Sequence, residues 1–358
     1  IAENENFNIT ATLDAAASKD VVIDLTPAGV AVYNTDFTSN VPTRITTVAG
    51  GNGYGSAQNQ LSYPRDVFVD SAGNTYVADI DNARIQKWTP GAIEGETVVS
   101  GVSRPTGVFV DTFGTIYVLE QYSHQVTKWV SGATSGEVVA GGNGSGTAAN
   151  QLSYPYGFFV DVAGNIYIAD THNHRIQKWA PGATEGITVA GGNGSGGAQN
   201  QLTSPQGVFV DSVGNVFVAD SDYARIQKWA PGATEGETVV SGVSIPTGVF
   251  VDTFGTIYVL ERGNHQVTKW APGAKVGEVI AGGNGLGTAT NQLNNPNAFF
   301  VDALGNITVA DTDNYRIQKY DLSPQLVIAA GETTAALTFS GIEDTRDEND
   351  ETIILNAT

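Results

Sequence analysis

The tripeptide Phe-Val-Asp occurs six times, ending at Asp70, Asp111, Asp161, Asp211, Asp252 and Asp302, and nothing else in the chain limits its fold as strongly. The six are separated by 41, 50, 50, 41 and 50 residues, and each of the first three returns 141 residues later. A three-unit block is therefore present twice. Residues 99–120 and 240–261 are identical except that Arg104 stands where the later copy has Ile245. Within a unit such as 157–186, short apolar runs (158–161, 166–169) and an alternating run (175–179) are joined by turns rich in Gly, Asn and Pro. A sheet this small cannot bury both faces alone, so each unit must pack on the next. A period of 40–50 residues with about four strands per unit predicts a β-propeller, and six units predict six blades.

The chain has 358 residues, 43 of them Gly, with no Cys and no Met, and a net charge of −20. That acidity argues against nucleic acid and anionic membranes, which need clustered Lys and Arg. No apolar run is long enough to span a bilayer, and no signal peptide is visible. A start at Ile1 reads as an excised or processed chain. The charge is compatible with a secreted or calcium-loaded protein, and equally with plain solubility.

Residues 1–41 and 322–358 do not belong to the repeat. Each alternates like short strands, and each is too small to bury a core alone. Joined, they have the size of one small β-sandwich. Their motifs, IAEN at 1–4, GVAVYNTDFT at 29–38, IAAGETT at 328–334 and the acidic run 343–351, resemble the Calx-β family. That resemblance implies a Ca²⁺ site drawing on Glu3, Asp36, Asp344, Glu348 and Glu351, with Asp347 and Asp350 in the same acidic run. The propeller, 42–321, is then an insertion in a split sandwich. Its last unit lacks a fourth strand, and Arg44–Ala49 reads like one, so the first strand is expected to close the ring.

The repeat itself, through P-x-G-V-F-V-D, G-N-I-Y-V-A-D and N-H-R-I-Q-K-W, resembles the NHL propellers. That implies a fold more than an activity, because the fold hosts lyases, esterase-like relatives and binding scaffolds.

Loops entering each unit and loops between its second and third strands share one face, where function is expected. The second strand ends in a carboxylate with a polar partner five residues on. Four units pair Asp with Arg (79/84, 170/175, 220/225, 311/316), and two pair Glu with Gln (Glu120/Gln125, Glu261/Gln266). These read as structural pairs. Glu120 with His124 and Glu261 with His265 are weighed also as metal or sugar contacts. The GGNG loops read as turns with Gly and Asn at positive φ, without the helix a phosphate cradle needs. Trp88, Trp129, Trp179, Trp229, Trp270 and Tyr320 recur as packing residues between blades. The residue after each loop-closing proline varies instead: Arg65, Thr106, Tyr156, Gln206, Thr247 and Asn297. Variation at the channel mouth, with Tyr63 and Tyr154 nearby, is what a ligand surface requires.

The expectation from these readings is a non-catalytic adhesion module of a secreted or cell-surface bacterial protein. It binds a glycan or cell-surface protein, with neighbouring domains of the same long chain and a calcium-stiffened base. WAPGA-containing arrays of this kind resemble those of bacterial surface proteins. A passive spacer and a metal-dependent lyase or lactonase-like enzyme are the alternatives. Scattered histidines and the lack of a nucleophile arrangement weigh against the enzyme.

Overall fold

The computed structural model describes residues 44–322 throughout, together with the flanking strands Asn6–Thr12, Val21–Gly29, Phe37–Ser39, Gln325–Ile328, Thr334–Gly341 and Ile353–Ala357. Contacts divide the chain into two compact units, one built from both chain ends and one from the repeats.

In the repeat unit, six four-stranded antiparallel sheets follow one another as blades. Blade one is typical: Pro64–Val69 innermost, then Thr75–Asp79, Arg84–Trp88 and Glu96–Ser100. Blade six takes Phe299–Val301, Ile307–Asp311 and Arg316–Asp321 from the last repeat, and Arg44–Gly50 from its other end as the fourth strand. The Thr47 hydroxyl donates to Gln318 Oε1 at 2.6 Å, and the Gly51 N–H to the Tyr315 carbonyl at 2.9 Å. The ring is thus closed by a strand from the front of the repeat region, as the missing fourth strand predicted.

Phe-Val-Asp recurs because each residue has a separate task. The aspartate folds the following turn: Asp161 accepts the N–H groups of Ala163 and Asn165 and the side-chain amide of Asn165, at 2.9, 2.8 and 2.7 Å. The valine enters the core, as Val160 and Val210 do at 5% and 6% exposure. The phenylalanine belongs to the channel, below. Trp88, Trp129, Trp179, Trp229 and Trp270 lie in the cores between blades, as expected. The sequence reading missed why a glycine follows seven residues after each: a Cβ on Gly186 would stand 2.8 Å from the Trp179 ring. The indole lies flat on bare backbone.

The GGNG loops differ from expectation in one respect. Gly50, Gly51 and Gly53 have positive φ, but Asn52 does not. Asn52 instead donates its amide to the carbonyls of Gly50 and Asn59, and Gln60 returns a bond to the Asn52 carbonyl. The asparagine is a staple across the loop, and the glycines alone make the left-handed turns.

Twelve non-glycine residues have positive φ, in two sets of six. One set precedes the loop-closing prolines, and there blade five places Ile245 at φ 48°. A β-branched residue in this region is strained by about 1–2 kcal/mol. Blade six has Asn295 in the same slot. Ile245→Asn should therefore raise stability by about 1 kcal/mol, read as a higher urea midpoint at unchanged slope. An unchanged or lowered midpoint would show that the neighbouring fold had already relieved the strain.

In the other unit, Asn6–Thr12 pairs antiparallel with Thr334–Gly341, which takes Phe37–Ser39 on its other side. Val21–Gly29 pairs with Gln325–Ile328 along its first half and with Ile353–Ala357 along its second. Strands from the two chain ends are therefore hydrogen-bonded to each other.

Candidate active site at the channel mouth

The six innermost strands contact one another in a closed succession and define an axial channel. Each runs antiparallel to its neighbour in the blade, but four of them shift register just after the proline. The shift falls between Pro64 and Asp66, between Pro205 and Val208, between Pro246 and Gly248, and opposite Leu119/Glu120. Such bulges re-aim a side chain. The residues they carry are Arg65, Thr106, Gln206 and Thr247, four of the six variable mouth positions. Blades three and six start their pairing later and supply Tyr156 and Asn297.

Arg65 Nη1 donates to the Tyr156 hydroxyl and, at 2.6 Å, to Asn297 Oδ1; the Tyr156 hydroxyl donates to the same Asn297 oxygen. The Arg65 guanidinium also lies 5.5 Å from the centre of the Tyr156 ring. Residues from blades one, three and six, 91 and 141 positions apart, are thereby joined across the mouth. The Asn297 amide donates to the Asn295 carbonyl and the Thr312 hydroxyl, but four other polar atoms of the ring are not satisfied. Arg65 Nε, Thr106 Oγ1, Gln206 Oε1 and Thr247 Oγ1 are buried without a hydrogen-bond partner. Leaving such a group unpaired costs about 1–3 kcal/mol, so four at one mouth make it the candidate site.

Three residues beyond each mouth position stands the motif phenylalanine. Phe68 meets Phe109 and Phe300 edge-on at 5.1 and 5.2 Å, and Phe209 meets Phe159 and Phe250 at 5.0 Å each. The mouth is a polar ring set above an aromatic collar.

Asp66 is the feature that sequence inspection passed over. At its position the other five blades have Gly107, Gly157, Gly207, Gly248 and Ala298. Those inner strands run so close together that a Cβ on Gly207 would lie 2.7 Å from the Thr247 carbonyl. Asp66 fits because its carboxylate replaces that contact with hydrogen bonds, accepting the N–H of Val67 and that of Val108 in blade two, each at 2.8 Å. Desolvation raises its pKa from 3.8 to about 7, against the pull of those two bonds. Its surface is nonetheless only half-buried, as befits a group walled in on a narrow channel. The signal available in the sequence was the one carboxylate in a column of glycines.

A folded pKa above the unfolded one means that the stability contribution of Asp66 is full below about pH 4 and is lost as pH rises through about 7. Asp66→Asn cannot ionise. The difference in unfolding free energy between the two proteins should therefore move by about 2 kcal/mol in favour of the variant between pH 4 and pH 8, channel solvent holding it below the full linkage value. Parallel stability curves at the two pH values would contradict the shift.

The paired carboxylates are structural, as expected. Arg84, Arg175, Arg225 and Arg316 each donate Nε at 2.7 Å to Asp79, Asp170, Asp220 and Asp311. Glu120 and Glu261 are satisfied by neutral donors: each takes a threonine hydroxyl at 2.8 Å (Thr127, Thr268), a glutamine amide and a backbone N–H. His124 and His265 are committed elsewhere. Their Nδ1 atoms accept the N–H groups of Tyr154 and Asn295 in the following blade, as His174 does from Ser204, all at 3.2 Å. Desolvation lowers the His124 pKa. Among the described residues, no three His, Cys, Asp or Glu side chains gather where they could hold a metal ion. The donor set at the mouth, one guanidinium and one carboxyl with hydroxyls and amides and no histidine, does not fit the histidine-bound metal of the enzyme alternative.

Tyr63 and Tyr154 stand outside the mouth network. Tyr63 packs edge-on with Tyr54 and Tyr315, and Tyr154 edge-on with Tyr122 and His124 and at a 32° tilt against His172. Glu3, Asp36, Asp344, Asp347, Glu348, Asp350 and Glu351, the expected calcium ligands, lie outside the described residues.

Residues 152–179 match the NHL repeat. No curated protein matches the chain significantly in sequence. Among solved structures, a protein of unknown function from Bacteroides thetaiotaomicron superimposes with a TM-score of 0.63 at 14% identity, covering 89% of this chain and 94% of that one. A gluconolactonase from Xanthomonas campestris gives 0.60 at 12% identity, covering 88% and 98%. A virginiamycin B lyase from Staphylococcus aureus, in complex with quinupristin, gives 0.51 at 11%, covering 83% and 99%. At these identities the likeness establishes an NHL-type six-bladed propeller fold. It also corrects two expectations, that of a non-catalytic adhesion module and that of a protein without enzymatic activity. The solved counterparts of this framework include enzymes, and the enzymatic alternative is the better supported reading.

Proposed function

We propose that the propeller is an enzyme that works on a small carbonyl compound, a lactone or related cyclic ester, at the channel mouth. The observation that carries the reading is Asp66, a channel-wall carboxyl poised near neutrality on the same ring of inner strands that carries four unpaired polar atoms. A general base is most effective with its pKa near the working pH. As carboxylate, Asp66 takes a proton from a water attacking the carbonyl carbon. The ester C–O bond then breaks, and the proton passes from Asp66 to the leaving alkoxide, giving a hydroxy acid. Thr106, on the strand whose Val108 N–H holds Asp66, offers its unpaired hydroxyl to the carbonyl oxygen. The two solved enzymes support the reading only in that their fold accommodates catalysis. Because the mouth does not fit a histidine-bound metal, no step is routed through one.

The test is a screen of unsubstituted and carboxyl-substituted γ- and δ-lactones, with acid release followed in a pH-stat. Turnover by the protein and its loss in Asp66→Asn are expected. No turnover of any lactone, or equal turnover by the variant, would end the proposal.

The strands of the two chain ends we read as halves of one Calx-β-like sandwich, supported by the pairing of Asn6–Thr12 with Thr334–Gly341 and of Val21–Gly29 with Ile353–Ala357.

A further inference from the structure

The duplicated block gives the channel mouth an internal standard. Positions 141 residues apart occupy opposite blades, so an unmodified duplication would place identical residues across the channel from each other. Thr106 and Thr247 still match. The other two pairs do not: Arg65 faces the Gln206 position, and Tyr156 faces Asn297. Asp66, with Gly207 as its counterpart, is a third departure. The mouth is polar throughout but electrically lopsided, with its one cation in blade one.

That cation lacks a counter-ion. The four ion pairs among the described residues join Arg84, Arg175, Arg225 and Arg316 to their aspartates, and Arg65 is in none of them. Its bonds go to two neutral oxygens, those of Tyr156 and Asn297, which fix the plane of the guanidinium and leave Nε–H pointing at nothing. A guanidinium half-buried on a channel wall, in a chain of net charge −20, is costly unless it meets an anion. Its planar fork suits a carboxylate. One cation, with the Asp66 carboxyl next to it in sequence, suits a monoanion better than a phosphate dianion. The opposite wall asks for the reverse: Gln206 Oε1 can only accept, so it calls for a hydroxyl or amine N–H. The Thr106 and Thr247 hydroxyls on the flanks can each give or take a bond.

We propose that the channel mouth takes a small molecule bearing one carboxylate, clamped by Arg65, with a hydroxyl or amine at its far end bound to Gln206. This rests on the mouth being the active site and narrows the substrate to carboxyl-substituted carbonyl compounds. Arg65 is here a binding residue and Asp66 the proton-transfer group.

The experiment is one of binding, so that it stands apart from turnover. Saturation-transfer NMR would be run on the full chain with matched probes: glycolate, 4-hydroxybutyrate and 6-hydroxyhexanoate, each against its uncharged amide. The acids should bind about 10- to 100-fold more tightly than the amides. Arg65→Gln should abolish that preference, while Arg65→Lys, which keeps the charge without the fork, restores part of it. Gln206→Leu should weaken the hydroxy acids but not butyrate. If acids and amides bind the unaltered protein equally, or neither binds, the anionic assignment is wrong, and that result needs no variant to fold. Lactone turnover confined to unsubstituted lactones, with no preference for acids, would overturn the clamp and leave the active-site reading standing. Loss of turnover in Asp66→Asn with the acid preference intact would separate the two in the other direction.

Discussion

Asp66→Asn should lower turnover of a lactone substrate by about 10²- to 10⁴-fold, the range that a positioned general base contributes. The pH profile is the sharper readout. With the carboxyl titrating near 7, the rate for the native protein should climb with pH through about 7 and level off above it, because the carboxylate is the competent form. The variant's residual rate should lack that limb. Asp66→Gly supplies the folding control, since glycine is the residue that blades two to five carry at this position. It opens space without introducing a clash and should be as inactive as the asparagine variant while keeping the native spectrum. A well-folded Asp66→Gly protein with an unchanged profile would remove the carboxyl from the chemistry. The stability and kinetic consequences also have opposite signs. On the proposed mechanism, the group whose ionisation destabilises the folded protein as pH rises through about 7 is also the one whose ionisation would switch the reaction on, a common exchange of stability for function at active sites.

How much of this was readable beforehand follows the period of the repeat. A recurring residue has a recurring cause, and six copies of Phe-Val-Asp or of the Trp position contain enough redundancy to reveal blades, ring closure and interblade packing. The variable column after the prolines was legible for the complementary reason: where near-identical units disagree, packing is not in control. Asp66 was missed because it sits one residue further on, in a column that reads as backbone-packing glycines, and only the approach of Val108 shows what a carboxylate gains there. The framework role of His124 was hidden for a geometric reason. His124 Nδ1 is spent on the Tyr154 N–H of the next blade, and no spacing rule within a unit can reveal a bond between units. The bulges that turn Arg65, Thr106, Gln206 and Thr247 toward the mouth are equally invisible in a pattern that only alternates.

The second large effect concerns the long entry loops, and it explains why the repeat comes in two lengths. At the position five residues after the strand-ending carboxylate, arginine appears only in the units preceded by a long loop, and its guanidinium reaches back into that loop. Arg175 donates to the carbonyls of Thr147, Ala148 and Gln151, Arg84 to those of Ser56, Ala57 and Gln60, and Leu152 or Leu61 plugs the loop's end into the core at 0% exposure. In blades two and five the entry loop is short, those carbonyls do not exist, and Glu with Gln and Thr replaces Asp with Arg and Gln. Asp170→Ala strips Arg175 of its counter-ion and the Ser153 N–H of its 2.6 Å acceptor, in a site where the aspartate is fully buried. The expected cost is about 3–5 kcal/mol, a large fraction of a typical domain's stability, read as a fall in the urea midpoint. Grafting the blade-two set into blade three (Asp170→Glu, Arg175→Gln, Gln177→Thr) should be about as damaging while loop 141–155 keeps its length, because three carbonyls lose their donor. Replacing that loop with the short blade-two connection should recover most of the loss, a strong departure from additivity. Equal stability of the grafted set on long and short loops would mean that the arginine serves the aspartate alone and that the two loop lengths have another origin.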